Sequence, residues 1–160
     1  MLFFFAAFLF KNANSADVLI RLLIKSLIIE SRRFMEKKYA EYLLKKTSQD
    51  YNLIATDFSR TRREVWPEMK FLFGHIKKGD KVLDLGCGNG RFFKFFKERG
   101  AEYIGVDNSE ALIKLAQKRH PYAYFQVADA LKLPLPDNFF DKVYSIAVFH
   151  HIPSKKFRVQ

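Results

Sequence analysis

Three glycines at alternate positions, Gly86, Gly88 and Gly90, follow the apolar stretch Val82-Leu83-Asp84-Leu85 and precede a phenylalanine-rich segment that opens at Arg91. Glycine lets a backbone turn tightly and approach a ligand closely. A helix leaving such a loop adds free N–H groups and a partial positive charge at its start. The dinucleotide fingerprint would need glycine at position 91, where this chain has arginine, so the loop departs from that pattern. Two acids extend the motif. Asp107, followed by Asn108, closes the stretch Tyr103–Val106, and Asp129, followed by Ala130, lies just beyond Ala123–Val127. A carboxylate at the first place can accept from both hydroxyls of a ribose. At the second it can accept from an adenine amino group. Taken singly, each is also explained as a strand–helix turn or a helix cap.

These residues act together only if strands and helices alternate beneath them. The pattern predicts strands over Lys81–Leu85, Tyr103–Val106, Ala123–Val127 and Lys142–Val148. Helices are expected over about Arg91–Arg99, stopped by Gly100, and Ala111–Arg119, capped by Asn108-Ser109-Glu110 and broken by His120-Pro121. Such alternation gives an α/β, Rossmann-like, doubly wound parallel sheet, with ligands bound at the strands' carboxyl ends. Upstream, residues 36–56 read as partly helical, with Tyr39, Leu43 and Leu44 on one side. Trp66-Pro67 reads as a helix start with Met69, Phe71, Leu72 and Phe73 on its apolar face.

With 160 residues, the chain is long enough for one core. A single cysteine, Cys87, excludes an internal disulfide framework and argues against a cysteine zinc site; its expected role is packing. The net charge of +11 favours polyanionic partners as much as mere solubility. Residues 1–34 stand apart. The apolar runs Leu2–Phe10 and Val18–Ile29 both fall short of the ~18 residues that span a bilayer. A signal peptide, a surface helix contacting membrane through residues 1–29, and a true start at Met35 are the alternatives, and the last is favoured. The domain plan is therefore an apolar extension (1–34), a helical cap (35–79) and a core (80–160).

Val82–Gly90, Tyr103–Asp107, Ala128-Asp129-Ala130 and Phe139–Ser145 resemble the first four motifs of class I S-adenosylmethionine-dependent methyltransferases. The resemblance implies that S-adenosylmethionine is the cofactor and that the core is the first half of that fold. It places Asp84 and the glycine loop at the methionine end, Asp107 and Asn108 at the ribose, Asp129 and Ala130 at the adenine, and Ser145 at the fourth motif. Two further stretches, Tyr51–Arg62 followed by Trp66-Pro67, and Ser145–His151, are similar to the tRNA wobble-uridine carboxymethyl methyltransferase family. That likeness implies a cytoplasmic enzyme that methylates a carboxymethyl group on tRNA, a small activator subunit in eukaryotes, and Arg62, His150 and His151 as the catalytic candidates.

A carboxylate is already an anion at neutral pH, so its methylation needs alignment and desolvation and no general base. Arginine suits it through paired donors. The plain alternatives are a solvated charge for Arg62 and structural hydrogen bonds for the histidines, which lack further ligands for a metal. A small-molecule methyltransferase and a truncated, non-catalytic binding fragment are the competing functions. Full domains of the kind resembled continue with three more strands past the point where this sequence stops, at Gln160, so the strand over Lys142–Val148 is expected to be an open edge, with Ser154–Gln160 beginning a helix.

Overall fold

The computed structural model describes residues 6–8, 37–153 and 155–159. Most of the apolar extension, including the run 18–29, lies outside them, and so does the favoured start at Met35. One five-stranded sheet organises the molecule. Its strands are β1 (Ala6–Phe8), β2 (Lys81–Leu85), β3 (Glu102–Asp107), β4 (Tyr124–Val127) and β5 (Lys142–Ile146), ordered β1-β5-β2-β3-β4. The last four pair in parallel, as the alternating pattern requires. The chain steps outward from β2 to β4, then returns to the other side of β2 for β5. The order thus reverses beside β2, and a crevice opens there.

The expectation of an open edge at β5 is corrected. Ala6–Phe8 pairs antiparallel with it, Ala6 opposite Ile146 and Phe8 opposite Tyr144. An edge strand carries a row of unpaired N–H and C=O groups, and a short antiparallel partner satisfies them.

Helix α1 (Lys37–Thr61) is longer than the sequence pattern indicates, running through the mixed aromatic and basic segment 51–61. Its buried positions are Ala40 and Ala55. Tyr39 is 55% exposed. The helix packs against α3 (Glu110–Arg119). The segment Pro67–Phe73 forms 3₁₀ turns after Trp66. Met69, Leu72 and Phe73 point inward as expected, but Phe71 is 72% exposed. Three residues per turn put positions 69 and 72 on one line and leave 71 outside it. Helix α2 (Phe93–Glu98) is shorter than its pattern, and Gly100 terminates it at φ 71°. A short helix, α4, covers Lys155–Arg158. Asp80, in the turn before β2, pairs with Lys142 at the start of β5.

The phenylalanines explain the core on one face. Phe73 is fully buried and stacks on Phe95 and Tyr144, with Phe92 and Phe96 against its other sides. Truncating it removes the hub of this cluster. Phe73→Ala is expected to cost about 3–5 kcal/mol, read as a lower urea midpoint with an unchanged slope.

Candidate active site

At the carboxyl ends of β2, β3 and β5 lies a cavity of about 630 Å³, lined by Leu85, Asp107 and Ile146 at the strand ends and closed on one side by α1. The glycine loop forms its floor. Gly86, Gly88 and Gly90 all have positive φ, between 55° and 76°. The N–H groups of Gly86 and Cys87 both donate to the Val106 carbonyl, at 2.7 and 2.9 Å. Asp107 fixes the next residue, since its Oδ2 accepts from the Gly88 N–H at 2.9 Å. Its Oδ1 accepts from the Ser109 N–H, also at 2.9 Å. Burial pushes the Asp107 carboxyl above its ordinary value, and these backbone donors draw it back. Each oxygen keeps a lone pair for a ligand hydroxyl.

Helix α1 is tied to the same place by polar contacts. Ser48 Oγ donates to the Asn108 carbonyl at 2.9 Å. Asn52 Oδ1 accepts from Ser109 Oγ at 2.8 Å and from the Ala111 N–H at 3.0 Å. Ser109 Oγ in turn accepts from Leu112 N–H, so the N-cap of α3 is shared with α1. Beyond β5, Ala147 adopts φ 60°, a left-handed conformation unusual outside glycine. This turn ends the strand at Ile146, short of the expected Val148, and brings Val148 and the 3₁₀ turn Phe149–His151 to the cavity rim.

The cavity gathers Gly86, Gly88, Asp107, Asn108 and Ala130 with Arg62, His150 and His151. Four expected residues do not line it. Asp84 is only 1% exposed beneath the loop and accepts from Tyr103 Oη at 2.9 Å. Burial pushes it up to about 7. Gly90 packs toward Phe125 and His120. Asp129 lines a smaller adjoining cavity of about 50 Å³, and its Oδ1 caps its own turn by accepting from the Leu131 N–H. Ser145 is buried, because strand alternation puts Tyr144 and Ile146 on the cluster face and turns position 145 the other way.

The sequence reading missed Tyr51, Phe58 and Arg91, which all line the cavity. Tyr51, Phe58 and Arg62 are spaced by seven and four, one stripe of a helix, so the signal was present in the matched segment. Tyr51 Oη lies 2.9 Å from His151 Nε2, joining α1 to the turn after β5. The Arg62 guanidinium sits 4.5 Å over the Phe58 ring. Arg91 is held below its ordinary value, by burial first and then by the charge of Arg62. Two arginines facing one cavity suit an anion.

Burial, with the charge of His150, lowers His151 to about 4. Folded His151 therefore stays neutral across a range, from about 4 up to the ordinary 6.5, where the unfolded chain binds a proton. Its contribution to stability should be complete above pH 6.5 and lost as pH falls toward 4. Asp84 acts in the opposite sense over its own range. The melting temperature of His151→Gln, subtracted from that of the unchanged protein between pH 4.5 and 7, should isolate the histidine as a difference that grows with pH. A difference independent of pH would refute a neutral His151.

Residues 83–159 match the methyltransferase domain family. The match takes in just under half of the chain. It is 36% identical over 120 residues to the tRNA (carboxymethyluridine(34)-5-O)-methyltransferase of Schizosaccharomyces pombe, covering 75% of this chain and 50% of the relative. It is 34% identical over 130 residues to the enzyme of that name from Arabidopsis thaliana, covering 81% and 30%. The chain thus spans half or less of the length of these curated relatives. Among solved structures, the complex between the Haloferax volcanii Trm112 methyltransferase activator and a methyltransferase aligns with TM-score 0.53 and 25% identity, over 64% of this chain and 51% of that one. The cofactor of this methyltransferase domain is S-adenosylmethionine. The cavity suits it, with a positive-φ glycine cradle at one end and a carboxylate with spare lone pairs beside it. Among the described residues no cluster of three metal-ligating side chains occurs, and no helix is long and apolar enough to cross a membrane.

Proposed function

We propose that this chain carries the cofactor-binding half of a methyltransferase acting on the carboxymethyl group of a tRNA wobble uridine. One observation carries the reading: Arg62, just past the end of α1, and His150 and His151 from the turn after β5, far apart in sequence, meet on the cavity that the glycine loop floors. When bound, S-adenosylmethionine supplies an electrophilic methyl group. The glycine loop, Asp107, Asn108 and Ala130 would hold it. The chain's remaining task is to grip a carboxylate. Arg62, stiffened against Phe58, offers two parallel donors, and neutral His151 offers a hydrogen bond without requiring a proton to move.

The basic stretch at the end of α1 and just past it, with Arg60, Arg62 and Arg63, suits the phosphates that surround such a uridine. A tRNA substrate supports a cytoplasmic location, and the Haloferax volcanii complex supports an activator partner. The test is transfer of labelled methyl to tRNA bearing 5-carboxymethyluridine at position 34, against the same tRNA with unmodified uridine. Label only on the first supports the proposal. Equal label on both, or label on neither while the cofactor binds, overturns it.

A further inference from the structure

Asn89, the residue between Gly88 and Gly90, is 1% exposed, yet its side chain reaches out of the glycine loop to the far end of α1. Its Nδ2 donates to the Arg62 carbonyl and to Ser59 Oγ, each at 3.1 Å, and to the Ser59 carbonyl at 3.4 Å. The last carbonyls of any helix lack intrahelical donors. Here the Phe58 carbonyl is taken by the Arg62 N–H and by Thr61 Oγ1. The Ser59 and Arg62 carbonyls are served by an amide about thirty residues away. Two carbonyl acceptors also fix the orientation of that amide, because only its NH2 group can donate. Its Oδ1 is buried with no partner among the described residues, and the residue lines the cavity.

One side chain therefore belongs to two structures. Through its backbone it is part of the loop whose Gly88 N–H is held by Asp107. Through its amide it sets where α1 ends, and hence where the Arg62 guanidinium leaves the helix over Phe58. We propose that Asn89 is a positioning residue that couples occupancy of the glycine loop to the placement of Arg62. This rests on the reading of the cavity as a cofactor and acceptor site. The coupling is reciprocal: a ligand that orders the loop orders the end of α1, and a polyanion held by that end tightens cofactor binding by the same factor. Packing alone would predict none of this, since a side chain that merely fills space supports α1 equally with and without ligand.

The experiment is amide hydrogen exchange of the full chain, followed in residues 56–64, with and without saturating S-adenosylmethionine whose binding is verified by calorimetry. In the unchanged protein the cofactor should slow exchange there by about fivefold or more, the lower range of measured couplings. Asn89→Asp keeps the shape but replaces the donor with a carboxylate. In that variant the cofactor-dependent slowing should vanish, while exchange in β2 and β3 keeps its protection. Binding without slowing in the unchanged protein overturns the proposal with no variant needed, and so does undiminished slowing in Asn89→Asp. If the unchanged protein binds no cofactor, the cofactor reading fails separately. Ligand-free exchange in 56–64 then decides: faster in Asn89→Asp upholds the tie between loop and helix, and equal rates overturn it.

Discussion

Asp107→Ala is expected to lower S-adenosylmethionine affinity at least about 100-fold, to beyond detection by calorimetry. The size follows from a double loss. Hydrogen bonds to a charged group are worth about 1.5–3 kcal/mol each, and a ribose would take two from this carboxylate. The same carboxylate holds the Gly88 and Ser109 N–H groups, so its removal also loosens the loop and the start of α3 before any ligand arrives. Asp107→Asn separates the two parts. It retains one acceptor and loses the charge, and should fall between the alanine variant and the unchanged protein. Affinity within threefold of the unchanged protein for Asp107→Ala would remove Asp107 from the site.

Gly86→Ala is expected to destabilise the protein markedly. A Cβ there would stand 2.2 Å from Val148 Cγ2, well inside contact distance, and the residue holds φ at 76°. Left-handed backbone costs a non-glycine residue about 1 kcal/mol, and overpacking commonly adds 1–3. The sum is roughly 2–4 kcal/mol, or a melting temperature lower by ~10 °C for a domain of this size. Val148→Ala in the same chain should restore part of the loss, because it removes the colliding methyl but not the backbone strain. A double variant no more stable than Gly86→Ala would show that the collision is not the cause.

Much of this was legible beforehand because parallel strands announce themselves locally. Lys81–Leu85 begins and ends where its alternation with turns says it must, and Ser109 caps α3 as its residue type suggests. The glycine loop and Asp107 were readable because positive φ and a strand-end acid leave residue-type signatures. What escaped was whatever depends on the meeting of distant segments. Asp84 sits on the loop's own strand, but only the position of Tyr103 shows that it is buried and bonded beneath the ligand site. Tyr51 is an ordinary aromatic residue until the turn after β5 presents His151 to it. Phe71 follows a helical pattern that the 3₁₀ geometry does not honour. The pairing of β1 with β5 links positions some 140 residues apart, and no local pattern reports such a partner.

The shared N-cap of α3 bears on how such a protein can diversify. Asn52 supplies part of that cap, Ser48 holds the Asn108 carbonyl, and Asp107, which fixes the Gly88 N–H, lies one residue before Asn108. The region recognised as the methyltransferase domain begins at residue 83, but the cooperating polar groups begin on α1, some thirty residues earlier. α1 is therefore not an exchangeable module. Replacing it wholesale would break its contacts with Asn108, Ser109 and Ala111 at the rim of the cavity. Single side chains along the cavity-lining stripe of Tyr51, Phe58 and Arg62 can change while Ser48 and Asn52 hold the helix still.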